Sequence, residues 1–129
     1  MSFPENLRYS ATHQWARLES DGLITVGITD HAQQQLGDLV FVQAPDIGRE
    51  LRLAEQCAVV ESVKTASDVY SPASGLVVAV NPDLADEPEK INADPYSAWI
   101  FRLKPAHPEE LDTLLNAKDY NAIVEGEQS

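Results

Sequence analysis

The feature that most constrains this chain is a succession of short apolar runs separated by turn residues. After Gly37 the sequence presents Leu39 to Val42, Leu51 to Ala54, Ala58 to Glu61, Ala66 to Tyr70 and Leu76 to Val80. Runs of this length and β-branched content read as strands rather than helices. Two more precede them, around Trp15 to Leu18 and Leu23 to Ile28, joined by Glu19-Ser20-Asp21-Gly22, whose Asp-Gly pair is a hairpin turn signal. Short strands at this spacing predict a mainly β architecture, a sandwich or flattened barrel.

An internal echo refines that expectation. Leu39, Val40, Pro45 and Asp46 recur in order as Leu76, Val77, Pro82 and Asp83, an apolar strand running each time into a Pro-Asp turn. The repetition predicts two similar half-sheets. At 129 residues the chain has the length of one domain, spanning residues 1–129.

Short helices punctuate the strands. Asp30 is placed to cap a helix that Gly37 ends, with Gln33 completing a capping-box pair and His31 as a structural residue of the first turn. Residues 82–95 are acidic and proline-rich, which predicts a loop with short helical turns, and Trp99 to Leu103 resumes a strand. A C-terminal helical segment is expected over about 108–125. It opens at Pro108, with Glu109 and Glu110 at the positive end of the helix dipole and Leu111, Leu114 and Leu115 on one face. A second short helix holds Tyr120, Ile123 and Val124, and Gly126 to Ser129 are expected to fray.

Charge narrows the partners. A formal net charge of -12 repels phosphate backbones, so no nucleic-acid partner is expected, and an acidic surface favours proteins with basic clefts. It also favours a monomer in solution. No apolar run approaches the ~20 residues that span a bilayer. Met1-Ser2-Phe3-Pro4-Glu5 has neither the basic start and apolar core of a signal peptide nor the Arg-rich character of a transit sequence, so a cytoplasmic location is expected. Cys57 stands alone within an apolar run and reads as a small strand residue. His13, His31 and His107 lack ligand-like spacing, so no metal site is read.

One residue stands apart. Lys64 lies between the runs ending at Glu61 and beginning at Ala66, at the tip of a predicted hairpin with no competing basic residue nearby. A primary amine on a rigid base suits covalent attachment of an acyl arm that swings between other proteins. On spacing alone, an ordinary solvated turn lysine is the favoured reading, since Lys is common in exposed turns.

The wider motifs decide between these readings. Thr12-His13-Gln14-Trp15, the run from Val26-Gly27-Ile28-Thr29-Asp30-His31-Ala32-Gln33 to Leu36-Gly37-Asp38, Val40-Phe41-Val42, Val60-Glu61-Ser62-Val63-Lys64, Ser67-Asp68-Val69-Tyr70-Ser71-Pro72-Ala73-Ser74-Gly75, Asn92, Asp94-Pro95-Tyr96 and Trp99 cover nearly the whole chain. With these motifs the chain closely resembles the lipoyl-carrier H proteins of the glycine cleavage system. The resemblance implies a lipoyl/biotinyl-like flattened barrel-sandwich and a non-catalytic carrier with lipoate in amide linkage to Lys64. It implies that a lipoate ligase or transferase attaches the group, with Glu61 and Gly48 at positions associated with its recognition. Thr12, Gln14 and Asp68 match positions near the loaded arm. The implied partners are a pyridoxal-phosphate-dependent glycine decarboxylase, an aminomethyltransferase and dihydrolipoamide dehydrogenase, between which the carrier shuttles the aminomethyl intermediate of glycine.

Two departures from the family pattern stand out. Gln14 replaces the usual Glu of a His-Glu-Trp motif, keeping hydrogen-bonding capacity and losing the charge that would hold a cationic amine. Ser97-Ala98 is one residue shorter than the usual link before Trp99. Within carriers, the competing reading is an H-like relay supplying lipoyl or octanoyl groups to other enzymes. A biotin carrier would place methionines where Val63 and Thr65 stand. From another class, an enzyme using Lys64 as a Schiff-base nucleophile or Cys57 as a thiolate finds no convergent acid, base or oxyanion group in the sequence.

Overall fold

The hairpin signalled by Asp21-Gly22 forms as expected. β2 (Gln14–Leu18) and β3 (Ile24–Ile28) pair antiparallel, Gly22 takes a φ of 88° in the turn, and the Asp21 carboxylate accepts from the Leu23 amide at 3.0 Å. This computed structural model describes Pro4 and residues 6–128. Met1, Ser2, Phe3 and Glu5, on which the expectation about a leader rests, lie outside the described residues, as does Ser129.

The remaining strands are β1 (Arg8–Tyr9), β4 (Leu39–Gln43), β5 (Glu50–Leu51), β6 (Gln56–Ser62), β7 (Ala66–Tyr70), β8 (Gly75–Val80) and β9 (Phe101–Pro105). They form two sheets, one in the order β1-β2-β3-β9-β8-β5 and a smaller one in the order β4-β6-β7. The echoed segments fall one in each sheet, as β4 and β8. The architecture is the expected flattened sandwich, with sheets of unequal size rather than matched halves.

Every residue of β3 is buried, because both of its faces are covered. Ile24, Val26 and Ile28 point into a core shared with Val60, Val69, Val77, Phe101 and Leu103. On the opposite face Gly27 lies under Trp15, its cross-strand partner, which belongs to a second cluster with Leu7, Tyr9, Tyr120 and Val124. The side-chain alternation of a strand thus distributes β3 between two cores.

Several expected elements are corrected by long-range contacts. The strand expected over Leu51 to Ala54 stops at Leu51. Ala54 has a φ of 68°, and the Glu55 carboxylate accepts from the Arg52 amide at 2.9 Å, closing a turn. The strand expected from Trp99 begins at Phe101; Trp99 packs against the second core, and the Arg102 guanidinium lies 4.2 Å above its ring. The helix α1 (Asp30–Leu36) is capped by Thr29, whose hydroxyl accepts from the Ala32 amide, while Asp30 accepts from the Gln33 and Gln34 side chains. Two four-residue helices, α2 (Asp83–Asp86) and α3 (Lys90–Ala93), occupy the acidic loop.

At the C-terminus the first helix is a 3-10 turn over Pro108–Thr113, and Leu111, Leu114 and Leu115 do not share a face. Leu114 is extended, and Leu115 exchanges two backbone hydrogen bonds of 2.8 Å with Tyr9, drawing the chain into β-bridging. Glu110 serves Ser74 instead of a helix dipole, accepting from its amide and its hydroxyl. Helix α4 (Ala117–Gln128) then continues past Gly126 where fraying was expected, with Glu127 in contact with His13.

Candidate functional site

Pairing between β6 and β7 runs as far as Glu61 opposite Ala66 and closes at the Ser62 amide, which donates to the Thr65 carbonyl at 2.7 Å. The buried Ser62 hydroxyl holds the turn from inside. It accepts from the Lys64 and Thr65 amides at 3.3 and 3.1 Å and approaches the Thr65 carbonyl at 3.1 Å. The Val63 amide donates to the Asp38 carbonyl at 3.1 Å, so the tip is also pinned from outside the hairpin. Asn92 secures that anchor: its carbonyl accepts from the Leu39 amide, and its amino group donates to the Gln33 side chain and the Gly37 carbonyl, each at 2.9 Å.

Lys64 is thereby displayed, exposed, from a turn whose four amides, Ser62 to Thr65, are all hydrogen-bonded. Its stem passes Gly37, where an added Cβ would stand 3.6 Å from Lys64 Cε. Among the described residues its ammonium makes no hydrogen bond or ion pair, so acylating it breaks no native interaction. This is the chemistry an attachment lysine needs: a free amine on a fixed base.

The other expected site residues divide into three places. Glu61 and Asp68 are exposed on the same outer face as Phe41 and Gln43, in the rows Phe41-Glu61-Ala66 and Gln43-Val59-Asp68. Gly48 lies at the foot of the hairpin, not its tip. It is exposed with a φ of 94°, donates to the Val77 carbonyl, and neighbours Arg49, whose guanidinium reaches Gln56 at the start of β6. The length of β6 puts Gly48 roughly 20 Å from Lys64. Thr12 and Gln14 belong to the turn entering β2. Gln14 is buried, its carbonyl accepting from the Ser10 hydroxyl at 2.6 Å and from the Thr12 hydroxyl, its amino group donating to the Thr12 carbonyl at 3.0 Å. No hydrogen bond or ion pair among the described residues joins this turn to Asp68 or Lys64.

Beside the lysine the structure exposes two residues of the expected strand Leu39 to Val42 and one residue of the turn. Val40, Phe41 and Val63 are 54%, 48% and 72% exposed. A register shift between Leu39 and Phe41 turns two successive residues outward, breaking the alternation that a regular strand would impose. The result is an apolar patch with Glu61 at its edge. Cys57, by contrast, is buried, donates to the Val69 carbonyl, and burial pushes its thiol up to about 12, which removes it as a nucleophile.

The histidines are not dispersed in space as they are in sequence. His13 and His31 stand with ring centroids 4.8 Å apart, next to Glu127, while His107 pairs with Glu109 at the surface.

Comparison with known proteins agrees with this geometry. A family model described as the glycine cleavage H-protein matches residues 7–127. The glycine cleavage system H protein of Nitrosospira multiformis is 55% identical over 127 residues, and that of Nitrosomonas europaea 57% identical over 127 residues, each match covering 98% of both chains. The crystal structure of a glycine cleavage system H protein from Mycobacterium marinum superposes with a TM-score of 0.85 at 41% identity, covering 93% of this chain and 97% of that one.

Proposed function

The chain belongs to the glycine cleavage H-protein family and is a non-catalytic carrier of that system, and we propose that Lys64 is the residue that holds its lipoyl group in amide linkage. The observation that carries this reading is the locked turn: an exposed amine without a partner among the described residues, on a backbone fixed by Ser62, Asp38 and Asn92. The lipoyl group supplies a strained disulfide able to accept a carbon fragment and electrons.

The chain's own residues supply display and recognition. Amide formation discharges Lys64 without stranding a carboxylate, because among the described residues no ion pair depends on it. Glu61 and the Val40, Phe41 and Val63 patch give an attaching ligase a mixed apolar and acidic surface around the amine. Gly48 contributes to recognition only if the ligase spans the hairpin from tip to foot. The carrier takes the aminomethyl fragment of glycine from glycine decarboxylase to aminomethyltransferase and then visits dihydrolipoamide dehydrogenase. It does so as a monomer with a cytoplasmic location.

Incubation with a lipoate ligase and lipoate, followed by peptide mass spectrometry, is expected to place the modification on Lys64 alone. Modification of Lys64→Arg at another lysine would refute the assignment. A peptide of residues 59–70 lacks Asp38 and the pairing with β4, and it is expected to be a much poorer substrate than the folded domain.

A further inference from the structure

Away from the hairpin, the fold gathers three side chains that the carrier role does not use. His13 closes the turn before β2 with a φ of 75°, a backbone conformation uncommon outside glycine. His31, in the first turn of α1, is only 2% exposed, and its Nε2 has no hydrogen-bond partner among the described residues. Glu127, in the last turn of α4, brings a carboxylate oxygen to 3.1 Å from His13 Nε2. One ligand atom from each residue lies within 4.8 Å of the other two.

We propose that His13, His31 and Glu127 form a binding site for a divalent first-row cation of the zinc type. Two imidazoles and one carboxylate suit Zn2+ and its neighbours, and they discriminate against Mg2+ and Ca2+, which prefer oxygen ligands. A buried ring nitrogen without a partner is costly, and coordination would satisfy it.

The surrounding contacts fit the same role. His13 Nδ1 lies 2.7 Å from the Tyr120 hydroxyl, which lies 2.7 Å from the Thr29 hydroxyl. That chain can fix the His13 ring while leaving Nε2 to face the cation. His13 and Glu127 are partly exposed, so water can fill the remaining position. Tetrahedral coordination sets ligand atoms about 3.3 Å apart, a spacing that His13 Nε2 and Glu127 already meet at 3.1 Å. The site ties the turn holding Thr12 and Gln14 to α1 and to the C-terminal helix.

The test uses the tag-free full chain, freed of metal with a chelator and titrated with Zn2+ by calorimetry in excess Mg2+. One equivalent of Zn2+ is expected to bind, raising Tm and shifting the nitrogen-15 resonance of His31 Nε2. Glu127→Gln, a change on an exposed helix turn that leaves the core untouched, is expected to weaken binding at least tenfold. Tyr120→Phe keeps the ring and removes the hydroxyl, and is expected to weaken it about 10- to 100-fold. His107→Gln, at the surface pair with Glu109, is expected to change nothing. Absence of a Zn2+ equivalent, or binding that Glu127→Gln and Tyr120→Phe leave intact, overturns the proposal; in that case a bridging water satisfies His31.

Discussion

Gly27→Ala tests the packing that orients the N-terminal half of the site. An added Cβ would stand 2.6 Å from Cε2 and Cζ2 of Trp15 and 2.7 Å from its Nε1. Carbon atoms pack at about 3.5–4.0 Å, so the indole must retreat by roughly 1 Å. It has little room to do so, being fully buried with its N–H bonded to the Pro95 carbonyl at 3.0 Å. Overpacking of this kind costs about 1–3 kcal/mol. Pulling the indole off Pro95 leaves a buried donor unsatisfied, for about 1–3 kcal/mol more. Replacing glycine in a strand interior returns about 0.5–1 kcal/mol. The net loss is about 1–5.5 kcal/mol, out of a total stability of about 5–15 kcal/mol. For a chain of this length, each kcal/mol moves Tm by about 3–5 °C, so Tm should fall by roughly 3–27 °C. Circular dichroism on heating and in urea measures it. In a Trp15→Leu background, which removes the obstructing ring, the same substitution should cost little or become favourable. A loss below about 1 kcal/mol, or an equal loss in both backgrounds, would refute the steric account.

Three further outcomes follow from the site geometry. Ser62→Ala removes the hydroxyl that accepts from the Lys64 and Thr65 amides; it should cost about 1–2 kcal/mol and slow lipoylation of Lys64 several-fold in a mass-spectrometric time course. Native Cys57, buried and with its thiol pushed up to about 12, should resist iodoacetamide at about pH 8 and react only when the chain is denatured. Gln14→Glu sets an oxygen in place of the amino group 3.0 Å from the Thr12 carbonyl, so burial and that carbonyl raise the new carboxyl's folded pKa above its unfolded value of about 4.3. Its penalty should therefore be absent below about pH 4, grow as pH rises from the unfolded pKa towards the folded one, and stay constant above it. Tm differences from the parent chain at acidic and alkaline pH measure this, and a pH-independent difference contradicts it.

Signals confined to a few residues were legible in the sequence. Asp21-Gly22 made its turn, Gly37 ended its helix, and Lys64 reached a hairpin tip. The cap of α1 moved by one residue because Thr29 has the extended backbone a cap needs and a hydroxyl that reaches the Ala32 amide, while Asp30 was already engaged by two glutamine side chains. What stayed hidden depends on distant partners. Leu115 leaves the helical pattern to bridge Tyr9, and α4 persists beyond Gly126, where Glu127 meets His13 from 114 positions away. The burial of Gln14 escaped although its partners are local: its sequence motif announces a polar residue, while Ser10 and Thr12 fold back to consume its amide. The exposed Val40 and Phe41 needed the register shift in β4, which no periodicity announces.

The place of β9 sets an order of assembly. It lies between β3 and β8, so the larger sheet stays in two pieces until residues 101–105 arrive to join them. The smaller sheet closes entirely within residues 39–70, through loops far shorter than the one linking β3 to β9. Short loops close at lower entropic cost and form early, whereas a sheet completed by its last strand folds slowly. During synthesis the lysine turn can therefore take shape while the larger sheet is still open, and any fragment ending before β9 should pair its hairpins locally yet fail to unfold cooperatively.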